Sequence, residues 1–216
     1  MQTASGVLRG FRRRTPVFTS AIEACTQQLV PPMDKARGAA RNVFGQGRGR
    51  ETVLYVCTSN TCRSPIAMHL ARERVRELGR DDAVAVRSRG LTDHYSAWGS
   101  PADPRAARAL SASTGLASDG HGSAELTAAE LDACLACFYF TEEHVEWVAS
   151  CIGDAPVQRA LREKRLRKIT ADGSDVPDPF FMDDQFYQAV CLQIKSSVNE
   201  TLDALLQEVD GAKSGR

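Results

Sequence analysis

Apolar residues recur along this chain at two alternating periods, and the alternation suggests the architecture. Val53 to Val56 is a short continuous apolar run, the pattern of a strand buried on both faces. From Pro65 to Leu78 the period lengthens: Ile66, Leu70, Ala71 and Leu78 share one helical face, and Gly79 offers the stop. Ala83 to Arg87 alternates as a strand, and Pro104 to Thr114 reads as a helix ending near a glycine. Thr127 to Glu130 has the form of a capping box, followed by a second buried-type strand over Ala133 to Phe140. Asp183 to Val209 is the longest helical pattern, with Phe186, Val190, Ile194, Val198, Leu202, Leu205 and Val209 about one turn apart. Strands alternating with helices predict an α/β fold whose parallel sheet is covered on both faces.

Residues 1–50 follow a different rule. A weak helical stripe through Phe18, Ala21, Ile22, Cys25 and Leu29 sits among Arg12 to Arg14, Pro31-Pro32 and a Gly/Arg-rich stretch. The chain's formal net charge is zero, yet these fifty residues hold nine Lys/Arg against two Asp/Glu, and the rest holds 18 against 25. We therefore expect a basic extension over 1–50, either a disordered tail or a targeting segment, and a folded domain over 51–210. A net acidic domain argues against nucleic acid as its partner. No apolar run approaches the ~18 residues that cross a bilayer, so a soluble protein without membrane attachment is expected. Seven cysteines with no recognisable signal peptide suit a reducing compartment: the cytoplasm, or a mitochondrion or plastid if the extension is a transit peptide.

The chemistry concentrates between Thr52 and Ala67. The apolar run delivers Cys57 at a strand end, and Arg63, Ser64 and Pro65 open the next helix. A loop in that position directs backbone N–H groups and the helix dipole at one point, which favours a tetrahedral anion. Arg63 adds a planar fork of donors matched to two phosphate oxygens, and the same field favours Cys57 as a thiolate. Pro65 suits a first helical position, and Ser64 can either cap that turn or donate its hydroxyl to the sulfur.

V-C-T-S-N-T-C-R-S-P, Val56 to Pro65, resembles the signature loop of the low-molecular-weight protein tyrosine phosphatases, a family that includes protein-arginine phosphatases and, more distantly, arsenate reductases. Ser88 to Leu91, Gly99 to Ala106, Asp119 to Ser123 and Val176 to Phe181 resemble further family segments in the same order. The resemblance implies a three-layer fold with a central, mostly parallel four-stranded sheet flanked by helices. It further implies Cys57 as nucleophile, Arg63 as phosphate ligand and Asp178 as general acid. Thr58, Ser59, Asn60, Thr61, Cys62 and Ser64 complete the phosphate loop, and His121 supports Asn60. Cys62 matches a second loop cysteine able to pair with the nucleophile on oxidation. Ser59 stands where the family has glycine; a positive φ there would strain the loop.

Phosphotyrosine hydrolysis through a phosphocysteine is the expected activity, on phosphorylated proteins, by a monomer needing no cofactor and no metal. Tyr95, Trp98, Phe180 and Phe181 are expected to form an apolar cleft for a flat ring. Thr61 is the clue to arginine-directed members, which makes a protein-arginine phosphatase the alternative. Arsenate reduction would need relay cysteines, and counting from Cys137 gives His144 where the second should be. A non-catalytic phosphate-binding module is the remaining alternative. Cys134 and Cys137, with His144 and Cys151, superficially suggest zinc, but both cysteines fall in the expected strand on opposite faces, which favours a core role. Arg162 to Lys168 reads as a solvated basic face, and His69 as a surface or satisfied side chain.

Overall fold

The computed structural model describes residues 50–214, so the stripe and basic run expected within 1–49 lie outside the described residues. Four strands form one sheet in the order β2-β1-β3-β4: β1 (Glu51–Cys57), β2 (Val84–Gly90), β3 (Ala136–Tyr139) and β4 (Leu166–Lys168). Every pairing is parallel, so "mostly parallel" becomes all parallel. Parallel neighbours need crossover segments, supplied by helices α1 (Arg63–Glu77), α2 (Pro104–Thr114), α3 (Ala128–Ala133), α4 (Glu143–Ile152) and α5 (Asp154–Arg162), while α6 (Asp184–Ser214) follows the last strand.

Burial explains the central strand. Val53, Tyr55 and Cys57 pack with α1, α2 and α6 on one face, while Leu54 and Val56 join Leu131, Val148 and Val157 on the other. With both faces covered, five consecutive residues are buried, as the unbroken apolar run predicts. The α6 stripe closes the first face through Val190, Ile194, Val198, Leu202 and Leu205. Strand order reverses at β1, since the chain leaves it for β2 on one side and returns to β3 on the other. That switch point is where such sheets bind ligands, and Cys57 stands at its C-terminal end.

At the open edge, the carbonyls of Val84, Val86 and Ser88 face away from β1. They accept from Arg50 (3.2 Å), Arg72 (3.1 Å) and Arg89 (2.8 Å) respectively. Arginines on successive edge carbonyls deny them to another strand.

Several expectations change in detail. Helix α1 begins at Arg63, so Pro65 is its third residue; the N-cap is Cys62, without a side-chain cap bond, and Ser64 is free for the sulfur. Residues Ala133 and Cys134 end helix α3, which its capping box starts, so the strand begins only at Ala136. Cys134 and Cys137 consequently share one core cluster, and the opposite-face argument fails although both are buried. The basic run is a solvated face only in part: Arg162 and Lys164 are exposed, but Leu166 is buried in β4, Arg165 pairs with Glu163, Arg167 with Glu208, and Lys168 with Glu142 and Asp175. His69 Nε2 is buried without a hydrogen-bond partner among the described residues.

Candidate active site

The turn from β1 into α1 is held from outside. Thr58 O accepts from Leu91 N (2.7 Å) and Thr92 N (3.0 Å), Asn60 O from His121 Nε2 (2.7 Å), Thr61 O from Asp103 N (2.8 Å), and Cys62 O from Ile66 N (3.4 Å). Across a trans peptide the N–H points opposite the carbonyl. Anchoring these carbonyls outward therefore turns the N–H groups of Ser59, Thr61, Cys62 and Arg63 to the inner side of the loop, the geometry of an anion nest. The neighbouring backbone approaches closely at Gly90, where a Cβ would lie 2.9 Å from the Trp98 ring and 3.0 Å from Asn60 N.

Asn60 carries the left-handed turn, with φ of 57°, while Ser59 has no positive φ. The strain expected at Ser59 is absent, and the demanding conformation falls on a residue type that tolerates it. Asn60 is fully buried: Oδ1 accepts from Ala124 N (3.0 Å) and Nδ2 donates to Ser64 Oγ (2.9 Å). Because Ser64 Oγ already accepts there, its own proton is directed to Cys57 Sγ at 3.0 Å or to the more distant Arg89 O at 3.3 Å. The Cys57 sulfur thus ends a chain that runs from the Ala124 amide through Asn60 and Ser64.

Arg63, 3% exposed, donates through Nη1 to Val176 O (3.1 Å) and through Nη2 to Asp178 Oδ2 (2.7 Å). Its guanidinium carbon lies 5.8 Å from the Phe140 ring centroid, and its Nε is buried with no partner among the described residues. A buried unpaired donor costs about 1–3 kcal/mol, which an oxyanion in the loop would offset. Asp178 comes from the loop before α6, with a side chain 48% exposed. Cys62 packs inward with Sγ 3.6 Å from Tyr187 Oη, and burial pushes its thiol up to about 12. Burial also lowers His121, which keeps its bond to Asn60 O.

Above the loop opens a cavity of about 430 Å³ lined by Cys57, Thr58, Ser59, Thr61, Cys62, Arg63 and Asp178 at its base. Tyr95, Phe180 and Phe181 form one wall, with Phe180 at 4.3 Å from Phe181 and 6.2 Å from Tyr95 between centroids. Phe181 is 84% exposed at a φ of 70°, so it is a cleft residue and not a core one. Trp98 departs from expectation: it does not line the cleft but packs over Gly90 and braces the loop from behind. A further part of the lining, Thr141, Glu143, His144 and Trp147 from the end of β3 and the start of α4, has no counterpart in the sequence expectations. Its signal was present: residues directly following a parallel strand stand at the binding edge of such sheets. His144, first considered as a zinc or relay position, faces Thr58 at 3.4 Å.

A cysteine and an arginine in one amide-lined loop, at the switch point of a parallel sheet, make a cradle suited to an oxyanion. Residues 52–211 match the family model described as low molecular weight phosphotyrosine protein phosphatase, and the chain belongs to that family of hydrolases. The low molecular weight protein-tyrosine phosphatase A of Mycobacterium tuberculosis is 34% identical over 146 residues, spanning 68% of this chain and 86% of that protein. Among solved structures, YfkJ from Bacillus subtilis aligns with a TM-score of 0.63 at 22% identity, covering 74% of this chain and 98% of that one. The YwlE arginine phosphatase, as a cysteine-to-serine mutant with its active-site serine phosphorylated, aligns with a TM-score of 0.59 at 25% identity, covering 71% and 95%. Among the described residues no helix is long and apolar enough to cross a membrane.

Proposed function

We propose that this chain is a protein phosphatase that hydrolyses phosphotyrosine through a phosphocysteine on Cys57, its catalytic unit spanning 51–210. The observation that carries this reading is the convergence of Cys57, Arg63 and Asp178 on one cavity. The Cys57 sulfur, hydrogen-bonded by Ser64, attacks phosphorus in line. The inward amides and the unpaired Arg63 Nε hold the equatorial oxygens. As an oxyanion takes the guanidinium, the Asp178 carboxylate is released, takes up a proton from solvent and gives it to the departing oxygen. The S–P bond forms as the P–O bond to the ring breaks. Asp178, now the base, takes a proton from water, and hydroxide displaces sulfur to yield phosphate and the free thiolate. The aromatic wall favours a flat leaving group.

One observation favours a second reading. Thr61 lines the cleft, and the YwlE arginine phosphatase is a structural neighbour, so phosphoarginine is the competing substrate. Arsenate reduction is disfavoured because His144 occupies the second relay position. Rapid quenching during turnover, with the phosphorylated residue mapped by mass spectrometry, tests the mechanism: phosphate on Cys57 is expected, and phosphate on any other residue would refute it. Rates on phosphotyrosyl and phosphoarginyl proteins decide the substrate.

A further inference from the structure

The wall contributed by the start of α4 is wired to the phosphate loop in a definite direction. His144 Nδ1 lies 3.0 Å from Thr141 N, whose N–H can only donate, so Nδ1 is the acceptor. Thr141 Oγ1, also at 3.0 Å, points to the same nitrogen. The imidazole proton therefore resides on Nε2, which stands 3.4 Å from Thr58 Oγ1. With Nε2–H as donor, the Thr58 oxygen is the acceptor, and its own hydroxyl proton must leave in another direction. Thr58 follows the nucleophile directly and lines the cleft, and its carbonyl is already occupied by Leu91 N and Thr92 N.

We propose that His144 is a positioning residue that turns the Thr58 hydroxyl into the cleft as a donor to a phosphoryl oxygen of the bound substrate. The identity of that anion rests on the phosphatase reading; the direction of the relay rests on the hydrogen-bond geometry alone. The His144 ring is buried and meets Phe140 edge-on at 6.3 Å between centroids, so it cannot swing without disturbing the ring beneath Arg63. Protonating Nδ1 would set two donors, its own and the Thr141 amide, against each other. Burial and the Arg63 charge hold His144 at about 3, Asp175 opposing weakly, so the relay keeps its direction throughout the neutral range.

The test titrates inorganic phosphate, followed by tryptophan fluorescence, into the wild type, Thr58→Val, His144→Phe, His144→Gln and the Thr58→Val/His144→Phe double variant. Thr58→Val removes only the hydroxyl, and His144→Phe keeps a ring against Phe140 without an N–H. Each single variant is expected to bind phosphate about tenfold more weakly, the scale of one hydrogen bond to a charged group. The double variant should bind no more weakly than either single, because both break one relay. His144→Gln, which can present an N–H near the Nε2 position, should recover most of the affinity. The ratio of wild-type to His144→Phe affinity should stay constant from pH 5 to 8.

Thr58→Val binding phosphate like the wild type would overturn the proposal. So would equal losses from His144→Phe in wild-type and Thr58→Val backgrounds, or an affinity ratio that titrates near pH 6.5. If His144→Phe does not fold, Thr58→Val and His144→Gln still decide. Absence of turnover in the wild type would refute the catalytic reading while leaving the phosphate affinities to judge the relay.

Discussion

The two loops that supply the proposed nucleophile and the proposed acid are built on opposite terms. Residues 57–64 are nearly all buried, their carbonyls are anchored by three separate segments besides α1 itself, and the one left-handed residue is tied by its own side chain. The loop bearing Asp178 is mostly exposed: Val176 is fixed by Phe140 O, Asp178 by Arg63 and the Phe180 amide, and Phe181 stands in solvent. A nucleophile and its anion nest require fixed geometry, since preorganised donors act without reorganising. The acid must greet a leaving group and then a water, and a lightly held loop suits two tasks. Damage to the first loop should therefore cost fold and chemistry together, whereas damage to the second should cost chemistry alone.

The largest effect should come from Asp178→Ala. We expect turnover to fall roughly 10²–10⁴-fold, more for an alkyl phosphate than for p-nitrophenyl phosphate, whose leaving group needs little protonation. The thermal midpoint should change little, because the lost carboxylate is half-exposed. Steady-state rates on both substrates, beside a melting curve, check this. Equal losses on the two would remove Asp178 as the acid.

Asn60 tests the other side. Asn60→Ala loses the bridge between Ala124 N and Ser64 and must also hold alanine at a φ of 57°. We expect about 2–4 kcal/mol of destabilisation from the two causes, together with slower turnover. Asn60→Gly keeps the backbone freedom and should recover about 1 kcal/mol in urea unfolding, but not the activity. Recovery of both would show that only the backbone mattered.

How far the sequence could be read follows the same division. The fixed loop was legible because strand end, Cys57, Arg63 and the helix start are contiguous, and a local pattern can carry a local site. The apolar run Val53 to Val56 foretold a doubly covered strand for the same reason. What escaped depends on distant segments. Leu166 reads as one apolar residue among charges, and only pairing with β3 makes a strand of Leu166–Lys168. The α4 wall is set by where β3 ends, at Tyr139, one residue before the expected end, while its start at Ala136 lies three residues inside the expected strand because α3 claims Ala133. Trp98 looked like a cleft aromatic because composition gives no direction; the gap left by Gly90 decides it. Concern over Ser59 was misplaced by one residue, since spacing cannot say which peptide turns left-handed.

Buried imidazoles sharpen the comparison through pH. Burial, first among the causes, depresses His144 to about 3 and His69 to about 4, against 6.5 when unfolded. The folded state therefore favours the uncharged rings. Their contribution to stability is complete above pH 6.5 and is lost as pH falls from there through 4 toward 3. Between pH 6 and 4.5 stability should rise with pH, with His144 contributing up to about 1.4 kcal/mol per pH unit and the less buried His69 contributing less. Depressed carboxylates such as Asp103 and Asp175 act only below their ordinary range, so this window isolates the histidines. Urea midpoints at several pH values check it: His69→Gln should flatten the dependence, and an unchanged slope would show that His69 is charged in the fold.

The smallest effect on stability should come from Phe181→Ala. At 84% exposure the ring buries almost nothing in the free protein, so the melting temperature should stay within the equivalent of about 0.5 kcal/mol. Its contact is with Phe180, at 4.3 Å, and through it with Tyr95, so whatever it contributes arises when a flat substrate ring enters between the walls. KM for a phosphotyrosyl peptide should rise several-fold with kcat nearly unchanged, because such a contact serves ground and transition states alike. For a phosphoarginyl peptide, whose leaving group is not aromatic, the same substitution should raise KM less. A loss confined to kcat would mean that Phe181 acts on Asp178, three residues upstream, and the exposed loop would then be less independent of its own aromatic end than its sparse bonding implies.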